Sequence, residues 1–353
     1  MTLCPRILIN VSKIIDNYHV IKKRCDRAGI QLTTVVKGLA GDVFVLKMLV
    51  ESGVDSIGDS RLENLALFNK FPKLNKMMLR LPSLSRIPEM LEYADLSLNT
   101  EIETLKAIDE ANRFNSKPHE IMLMVDLGDR REGVLTDNLN NLAEQCRLFR
   151  NLRISGIGAN FSCFAGVKPS RNKLIELISL AKMLRETINL PIKIISGGNS
   201  SSLSMLYDNA IPEGINHLRI GEGILLGRET LGGTNLPDLA SDAFLLEAEV
   251  LQVQWKPALA DGEIGYDAFG RLPQIPEIES GIRMLLNVGH QDTPLQGLTP
   301  LDRDFRVLGG SSDYMVMASH KKVRVGDIIQ FSPDYWSVLA LMTSRYVKKE
   351  YRV

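Results

Sequence analysis

The first two-thirds of the chain alternates short apolar runs with stretches in which apolar residues have helical spacing. The clearest helical stretches are residues 43–53 and 170–188. Such alternation is typical of parallel β/α units. Eight units close a (β/α)₈ TIM barrel, for which about 220 residues is a suitable length. An open doubly wound sheet is the alternative. The strand-like runs are residues 33–37, 55–59, 76–82, 95–100, 120–128, 153–161, 192–199 and 217–227.

Beyond about residue 235 strand-like runs continue with little helix between them. We therefore predict an α/β protein with a barrel at residues 12–235 and a mainly β C-terminal domain at residues 236–353. Residues 1–11 hold one further strand, which we expect to join the C-terminal domain. The first barrel helix is predicted to run from Ser12, as its N-cap, to Gly29. The C-terminal strand-like runs are residues 245–255, 281–289, 314–319, 321–331 and 336–344.

Charge and cysteine content exclude several classes of protein. Among 353 residues, 42 Lys and Arg balance 42 Asp and Glu, which disfavours a partner such as nucleic acid or an anionic membrane. The four cysteines form no CxxC and the five histidines have no zinc-ligand spacing, so no metal site is predicted. Free thiols indicate a reducing cytoplasm. The opening segment MTLCPRILINVSK has no long apolar run, so we expect neither a signal peptide nor a membrane anchor.

Polar side chains stand at the carboxyl ends of the predicted barrel strands, where the active site of such a barrel is built. One lysine and several arginines among them are unusual for ordinary loops. They are Lys37, Asp59, Arg80, Asn99, Asp126, Arg131, Asn160 and Arg219, together with the SGGNSSS segment at residues 196–202.

The segment SGGNSSSLSML at residues 196–206 resembles an anion site. Glycines allow close approach of the backbone, serines can cap a helix beginning near Ser201, and the first N–H groups of that helix attract anions. It is not a GxxxxGK[ST] loop, so a nucleoside triphosphate is not implied. An anion site beside Lys37 suggests pyridoxal 5′-phosphate (PLP), held as a Schiff base. The alternative is an ordinary Ser/Gly turn in a barrel where Lys37 is solvated.

An ordered series of motifs resembles the alanine racemase family of PLP enzymes (fold type III). The series is VVKGLAGD, VDLGDRREG, GIGANFSC, SGGNSSS, HLRIGEGILLG, GEIGYDAFG and WSVLALMTSRYVKKEY, and it spans nearly the whole chain. Within the family, the AGD after Lys37, the DLGDRREG and the GGSSD resemble the ornithine racemase-like branch. The resemblance implies a PLP-dependent amino-acid racemase.

The resemblance assigns cofactor-binding roles. Lys37 would form the Schiff base and carry one proton, and Arg219 would face the pyridine nitrogen. Because arginine hardly loses its proton, that nitrogen should stay unprotonated. Arg131 would lie near the phenolic oxygen of the cofactor or the substrate carboxylate. The phosphate would be held by Ser200, Ser201, the backbone of Gly221 and Glu222, and Tyr335.

Tyr266 matches the family's tyrosine base, which acts on the face of the substrate opposite the lysine and is supplied by the other subunit. Racemisation needs one group on each side of the Cα–H bond, one to remove the proton and one to return it. Lysine and tyrosine both have ordinary pKa values near 10, so at least one must be shifted for work at neutral pH. The resemblance therefore implies a homodimer with shared active sites.

Several positions depart from the alanine enzymes. Gly41 replaces a phosphate-contacting tyrosine, and Asn160 replaces the histidine under the cofactor ring. Ser312 and Asp313, preceded by Ser311, replace a Cys-Met-Asp segment. Where the alanine enzymes have a second Gly-Tyr pair, this chain has Gly289-His290. These changes surround the substrate, which disfavours alanine as the substrate of this protein.

A basic substrate would need an acceptor for its distal ammonium. The acidic candidates in these motifs are Asp129, Asp267, Asp292 and Asp313, of which we favour Asp313. The predicted substrate-binding residues are Arg131, His290, Ser312 and Asp313.

We predict racemisation of ornithine, lysine or another basic amino acid, with an alanine or broad-specificity racemase as the alternative. A PLP decarboxylase of the same fold is a further enzyme alternative, although no matching cysteine motif is present. A non-catalytic PLP carrier is the alternative of another class. Such carriers consist of a single barrel without a second domain, so residues 240–353 argue against a carrier.

Overall fold

The computed structural model describes residues 4–267, 269–272 and 279–353. The chain divides into two compact units. One holds the described residues up to Lys13 together with residues 38–40 and 241–353, and the other holds residues 14–37 and 41–240.

The strands are β1 (Arg6–Asn10), β2 (Gln31–Val35), β3 (Ser56–Asp59), β4 (Asn75–Met78), β5 (Leu96–Asn99), β6 (His119–Met124), β7 (Leu152–Gly158), β8 (Ile194–Ser196), β9 (His217–Ile220), β10 (Phe244–Lys256), β11 (Gly281–Leu286), β12 (Leu298–Pro300), β13 (Phe305–Gly310), β14 (Met315–Ser319), β15 (Ile328–Pro333) and β16 (Lys348–Arg352). The α-helices are α1 (Val11–Arg27), α2 (Val43–Glu51), α3 (Leu62–Ala66), α4 (Ile87–Tyr93), α5 (Ile102–Ala111), α6 (Thr136–Cys146), α7 (Arg171–Thr187), α8 (Leu203–Tyr207), α9 (Glu222–Leu226) and α10 (Tyr335–Thr343). Short 3₁₀ helices lie at Lys37–Leu39, Leu84–Arg86, Asn112–Phe114, Ser200–Ser202 and Leu295–Gly297.

Strands β2 to β9 pair in parallel and close into a barrel in chain order, with β9 hydrogen-bonded to β2. Each of the eight predicted runs overlaps one of these strands. The predicted (β/α)₈ barrel is thus confirmed and the open sheet is wrong. Apolar side chains of β4, β5 and β6 pack together in the barrel. This cluster is Met77, Leu96, Leu98, Met122 and Met124.

The first barrel helix begins earlier than predicted, at Val11. Asn10 Oδ1 accepts a hydrogen bond from the Lys13 backbone N–H at 3.0 Å. Both asparagine and serine are good capping residues, so sequence preference could not choose between them. The expected cap at Ser12 is therefore wrong, and Asn10 supplies the capping oxygen.

The other unit is mainly β, as predicted. Its strands follow the order β12-β15-β10-β11-β14-β13, and β1 pairs antiparallel with β10 and parallel with β16. The expected strand at residues 336–344 is wrong, because this segment forms α10. Asp334 caps that helix by accepting from the Ser337 N–H at 2.7 Å. Residues 321–327 also lie outside the strand expected there, since β15 begins at Ile328.

Two histidines buried in the barrel unit make its stability depend on pH. Burial lowers the pKa of His119 to about 4 and that of His217 to about 3. Between about pH 6.5 and 4 these histidines bind protons in the unfolded chain but not in the folded chain. The free energy of unfolding therefore falls as pH falls. We expect a loss of about 1.4 kcal/mol per pH unit for each histidine in this window.

Urea unfolding at pH 7 and pH 5 measures this loss. His119 Nε2 lies 2.9 Å from Ser97 Oγ, and His119→Gln can keep that hydrogen bond without titrating. The variant should lose less stability between the two pH values than the wild type. His320→Gln, at an exposed histidine, is the control. Equal pH dependence in all three proteins would contradict the prediction for His119.

Candidate active site

Lys37 lies two residues beyond the end of β2 and begins a 3₁₀ helix, with its side chain half-buried. Burial lowers the pKa of Lys37, and the positive charge of Arg131 acts in the same direction. The negative charges of Asp59 and Glu132 oppose that shift. A lowered pKa leaves more of the amine neutral, the form that can attack a carbonyl group.

Arg219 projects from β9 into the barrel and is only 3% exposed. Its Nη2 donates to Ala159 O and to Asn160 Oδ1, both at 2.8 Å, and its Nη1 donates to Ser196 Oγ. Burial lowers the pKa of Arg219 to about 10, so the guanidinium stays charged at neutral pH. The site therefore holds a fixed buried cation.

Glu132 links two of the predicted site residues, and sequence reasoning missed it. Arg131 donates from Nε to Glu132 Oε2 and from Nη2 to Oε1, the latter at 2.7 Å. Asn160 Nδ2 also donates to Glu132 Oε1. Burial favours the neutral acid, but Arg131 holds the pKa of Glu132 below its usual value. An acidic residue directly after Arg131 was the available signal.

The SGGNSSS segment brings backbone N–H groups to one hydroxyl. Ser200 Oγ accepts from Gly221 N at 3.2 Å and from Gly223 N at 3.3 Å. A side chain at Gly221 would put its Cβ 3.0 Å from Val35 Cβ, so glycine allows the strand ends to approach. The Ser200 hydroxyl and the two backbone N–H groups are therefore neighbours, and such groups are the kind that bind anions.

The cap of this segment differs from the one we expected. Asn199 Oδ1 accepts from Ser201 N at 2.9 Å and from Ser201 Oγ at 2.7 Å. Asn199, and not a serine, therefore caps the 3₁₀ helix that precedes α8. Ser201 is fully buried and Ser200 nearly so.

His290, Ser312 and Asp313 lie together in the mainly β unit. His290 N donates to Ser311 O at 3.0 Å. A Cβ at Gly289 would lie 2.1 Å from Ser312 O, so only glycine permits this approach of the two loops. The Gly289-His290 and Ser312-Asp313 motifs, which both depart from the alanine enzymes, therefore pack against each other.

Tyr266 is 76% exposed, in a loop that Asp267 organises. Asp267 Oδ1 accepts from Phe269 N at 2.8 Å and from Arg271 N at 2.9 Å. The Phe269 ring meets the His290 ring edge-on, with centroids 5.1 Å apart. Phe269, Arg271 and His290 line a cavity of about 680 Å³ within this unit.

That cavity continues to the start of α10. Its lining includes Trp336, which follows Tyr335 at the first turn of that helix. Tyr335 is half-buried. The unit thus groups the loop of Tyr266 with His290 and the residues around Tyr335.

Three of the four acidic candidates for the distal ammonium are occupied by nearby groups. Asp129 accepts from the backbone N–H groups of residues 163, 164 and 167, and Asp267 organises its own loop. Asp292 accepts from Ser344 Oγ at 2.9 Å. Asp313 is exposed and accepts from Ser312 Oγ at 2.7 Å. Asp313 is thus an exposed carboxylate whose hydrogen-bond partner is a neighbouring hydroxyl.

Within the described ranges, no cluster of three or more His, Cys, Asp or Glu residues could hold a metal ion. The same part of the chain contains no helix long and apolar enough to cross a membrane.

Comparison with known proteins identifies the family. The family model "Alanine racemase, N-terminal domain" matches residues 9–228. The chain belongs to the alanine racemase family. The resemblance predicted from the motifs is confirmed, as is the prediction of an amino-acid racemase.

Two relatives match this alanine racemase family member over almost its whole length. An ornithine racemase from Acetoanaerobium sticklandii is 39% identical over 351 residues, covering 98% of this chain and 99% of the relative. A lysine racemase from Thermotoga maritima is 36% identical over 352 residues, covering 98% of each.

Solved structures of the family share the fold. Alanine racemase from Bartonella henselae, with covalently bound pyridoxal phosphate, has a TM-score of 0.73 at 16% identity and covers 99% of this chain and 100% of that chain. Biosynthetic alanine racemase from Pseudomonas aeruginosa has the same score at 18% identity, with the same coverage. At this level of identity the likeness shows the fold alone.

Proposed function

We propose that the protein is a PLP-dependent racemase of ornithine, lysine or another basic amino acid. The observation that carries the proposal is a lysine of lowered pKa just after β2 and a buried arginine on β9, the neighbouring strand of the same barrel. Full-length similarity to an ornithine racemase and a lysine racemase supports the substrate class.

The donor set fits PLP. Lys37 supplies the amine for a Schiff base, and Arg219 supplies a cation for the pyridine nitrogen. Ser200, Ser201 and the backbone of Gly221 and Glu222 would hold the phosphate, with Tyr335 as a further contact. When bound, PLP stabilises negative charge at the substrate Cα. A permanently protonated arginine would keep the pyridine nitrogen unprotonated and so limit side reactions.

Two side chains would move the proton. Lys37 would serve one face of Cα, and Tyr266 the other. The exposure of Tyr266 fits a residue that a second copy of the chain supplies. We therefore propose a homodimer in which each active site uses Tyr266 of the other copy.

Arg131, with His290 and Ser312, would orient the substrate. Arg131 would bind its α-carboxylate, whose two oxygens match the two parallel N–H groups of a guanidinium, or would donate to the single phenolic oxygen of PLP.

Asp313 would select the basic side chain. Asp313→Asn should raise KM for ornithine by about tenfold and leave KM for alanine nearly unchanged, because only ornithine carries a distal ammonium to pair with the carboxylate. Steady-state kinetics on both amino acids measures the difference. Asp304→Asn removes another exposed carboxylate of the same unit and is the control. Equal changes in KM for ornithine and alanine would exclude this role.

A substrate panel tests the function as a whole. The PLP-loaded protein is incubated with L-ornithine, L-lysine, L-arginine and L-alanine, and the enantiomers are separated by chiral chromatography. We expect D-ornithine or D-lysine to form fastest. Faster racemisation of alanine would support the broad-specificity alternative. Schiff-base formation without racemisation of any amino acid would support a PLP carrier and contradict the proposal.

A further inference from the structure

The Glu132 carboxylate stands between the two arginines proposed to face the cofactor. On one side it takes two hydrogen bonds from Arg131, one from Nε and one from Nη2. On the other side it accepts from Asn160 Nδ2, and Asn160 Oδ1 in turn accepts from Arg219 Nη2 at 2.8 Å. One anion thus connects Arg131 to Arg219 through a single amide.

This arrangement fixes the orientation of each member. An arginine held by both oxygens of a carboxylate keeps its guanidinium in one plane. The Asn160 amide must point its NH₂ towards Glu132, because a carboxylate accepts hydrogen bonds and does not donate them. Its carbonyl oxygen is then directed at Arg219. Without the charge on Glu132, the Arg131 plane would no longer be determined by these contacts, and Asn160 would be held in its orientation only by its hydrogen bond from Arg219.

Glu132 is suited to this role by burial. Its side chain is 16% exposed, compared with 43% for Arg131, so the carboxylate is the more enclosed partner. An ion pair whose anion is enclosed is screened less by water than a surface pair. The neighbouring acid Asp129 instead accepts from backbone N–H groups and cannot substitute for it.

We propose that Glu132 is a positioning residue that holds Arg131 and, through Asn160, Arg219 in the geometry required by the cofactor. This inference rests on the proposed function. Glu132 itself transfers no proton and contacts the reaction through its partners. Loss of its charge should therefore alter cofactor binding as well as turnover.

The test compares Glu132→Gln with Glu120→Gln in PLP-loaded protein. Glu120 accepts from Arg153 at an exposed site on β6, so its variant also removes one carboxylate partner of an arginine. We expect Glu132→Gln to lower kcat/KM by up to about a hundredfold, since a misplaced orienting group can cost that much. Its affinity for PLP, measured by titrating the apoprotein, should also fall. Glu120→Gln should match the wild type in both.

A pH titration of the visible Schiff-base absorbance adds a readout that general loosening would not move. Burial lowers the pKa of the Lys37 amine, and the charge of Glu132 opposes that shift. The same negative charge would favour a proton on the Schiff-base nitrogen, so Glu132→Gln should shift the midpoint to lower pH. Asp59, Arg131 and Cys163 also influence Lys37 and remain in place. Glu132→Asp keeps the charge but shortens the side chain, so it should lower kcat/KM while the midpoint stays near the wild-type value.

A double-mutant cycle decides whether Glu132 acts through Arg131. In an Arg131→Ala background, adding Glu132→Gln should cause a smaller loss of kcat/KM and PLP affinity than it causes in the wild type, because only the link through Asn160 is left to disrupt. Independent, multiplicative losses would overturn the proposal. So would a folded Glu132→Gln that behaves like Glu120→Gln, or a Glu132→Asp that equals the wild type in kcat/KM. The wild type is measured first, because absence of both the Schiff base and racemisation there would contradict the proposed function itself.

Discussion

Lys37→Ala is expected to lower racemase activity by about 10⁴-fold or more, because one residue provides both the covalent attachment and one proton carrier. Borohydride reduction of the PLP-loaded wild type should fix the cofactor to the peptide that contains Lys37. In Lys37→Ala the same treatment should fix none. Mass spectrometry after digestion measures both.

The control for this prediction is Lys47→Ala. Lys47 is an exposed lysine of α2 in the same unit, paired with Glu51 at 3.6 Å. Its variant should keep the absorbance band, the reduced peptide and the activity. A Lys37→Ala protein that retains the visible band and is still trapped by borohydride would remove the basis for the PLP assignment.

Tyr266→Phe is expected to lower racemisation by about 10³-fold while PLP stays bound, because the hydroxyl carries a proton and the ring does not. The loss should be asymmetric. The enantiomer whose Cα–H faces Lys37 should still exchange its proton with solvent, whereas the other should exchange far more slowly. NMR detection of Cα deuteration, starting separately from each enantiomer, measures this asymmetry.

Tyr346→Phe is the matched control, since Tyr346 is another exposed tyrosine of the same unit. Equal exchange from the two enantiomers in Tyr266→Phe would show that Tyr266 is not the second base. Mixing inactive Lys37→Ala and Tyr266→Phe chains should also restore activity if sites are shared in a homodimer. No recovery after demonstrated subunit exchange would contradict that sharing.

The barrel could be predicted because its strands are short apolar runs between segments of helical spacing. Strand β6, at His119–Met124, is buried along almost its whole length, as parallel strands covered on both faces are. Helix α10 could not be predicted in the same way. Its nine residues are nearly all apolar, so period 2 and period 3.6 look alike. The Asp334 cap that begins the helix looks like any loop residue in sequence.

Part of the candidate site was visible in the sequence because the catalytic side chains of a barrel lie at the carboxyl ends of its strands. Lys37 and Arg219 were found by that rule. The role of Glu132 was not, because its partner Asn160 is 28 residues away and comes from the end of β7. Folding brings these two residues together. No rule of sequence spacing predicts which side chain will pair with which across such a distance. The same limit applies to the Gly289 loop, whose approach to Ser312 depends on backbone contact.

The central claim is most directly tested by incubating the PLP-loaded protein with L-ornithine in D₂O. Cα deuteration by NMR and optical rotation are followed in the same sample. We predict that deuterium enters Cα as the rotation falls to zero, and that D-ornithine gives the same end point. L-lysine and L-alanine are treated alongside. A folded protein with an intact Schiff base that leaves both the Cα proton and the rotation of all three amino acids unchanged would contradict the account.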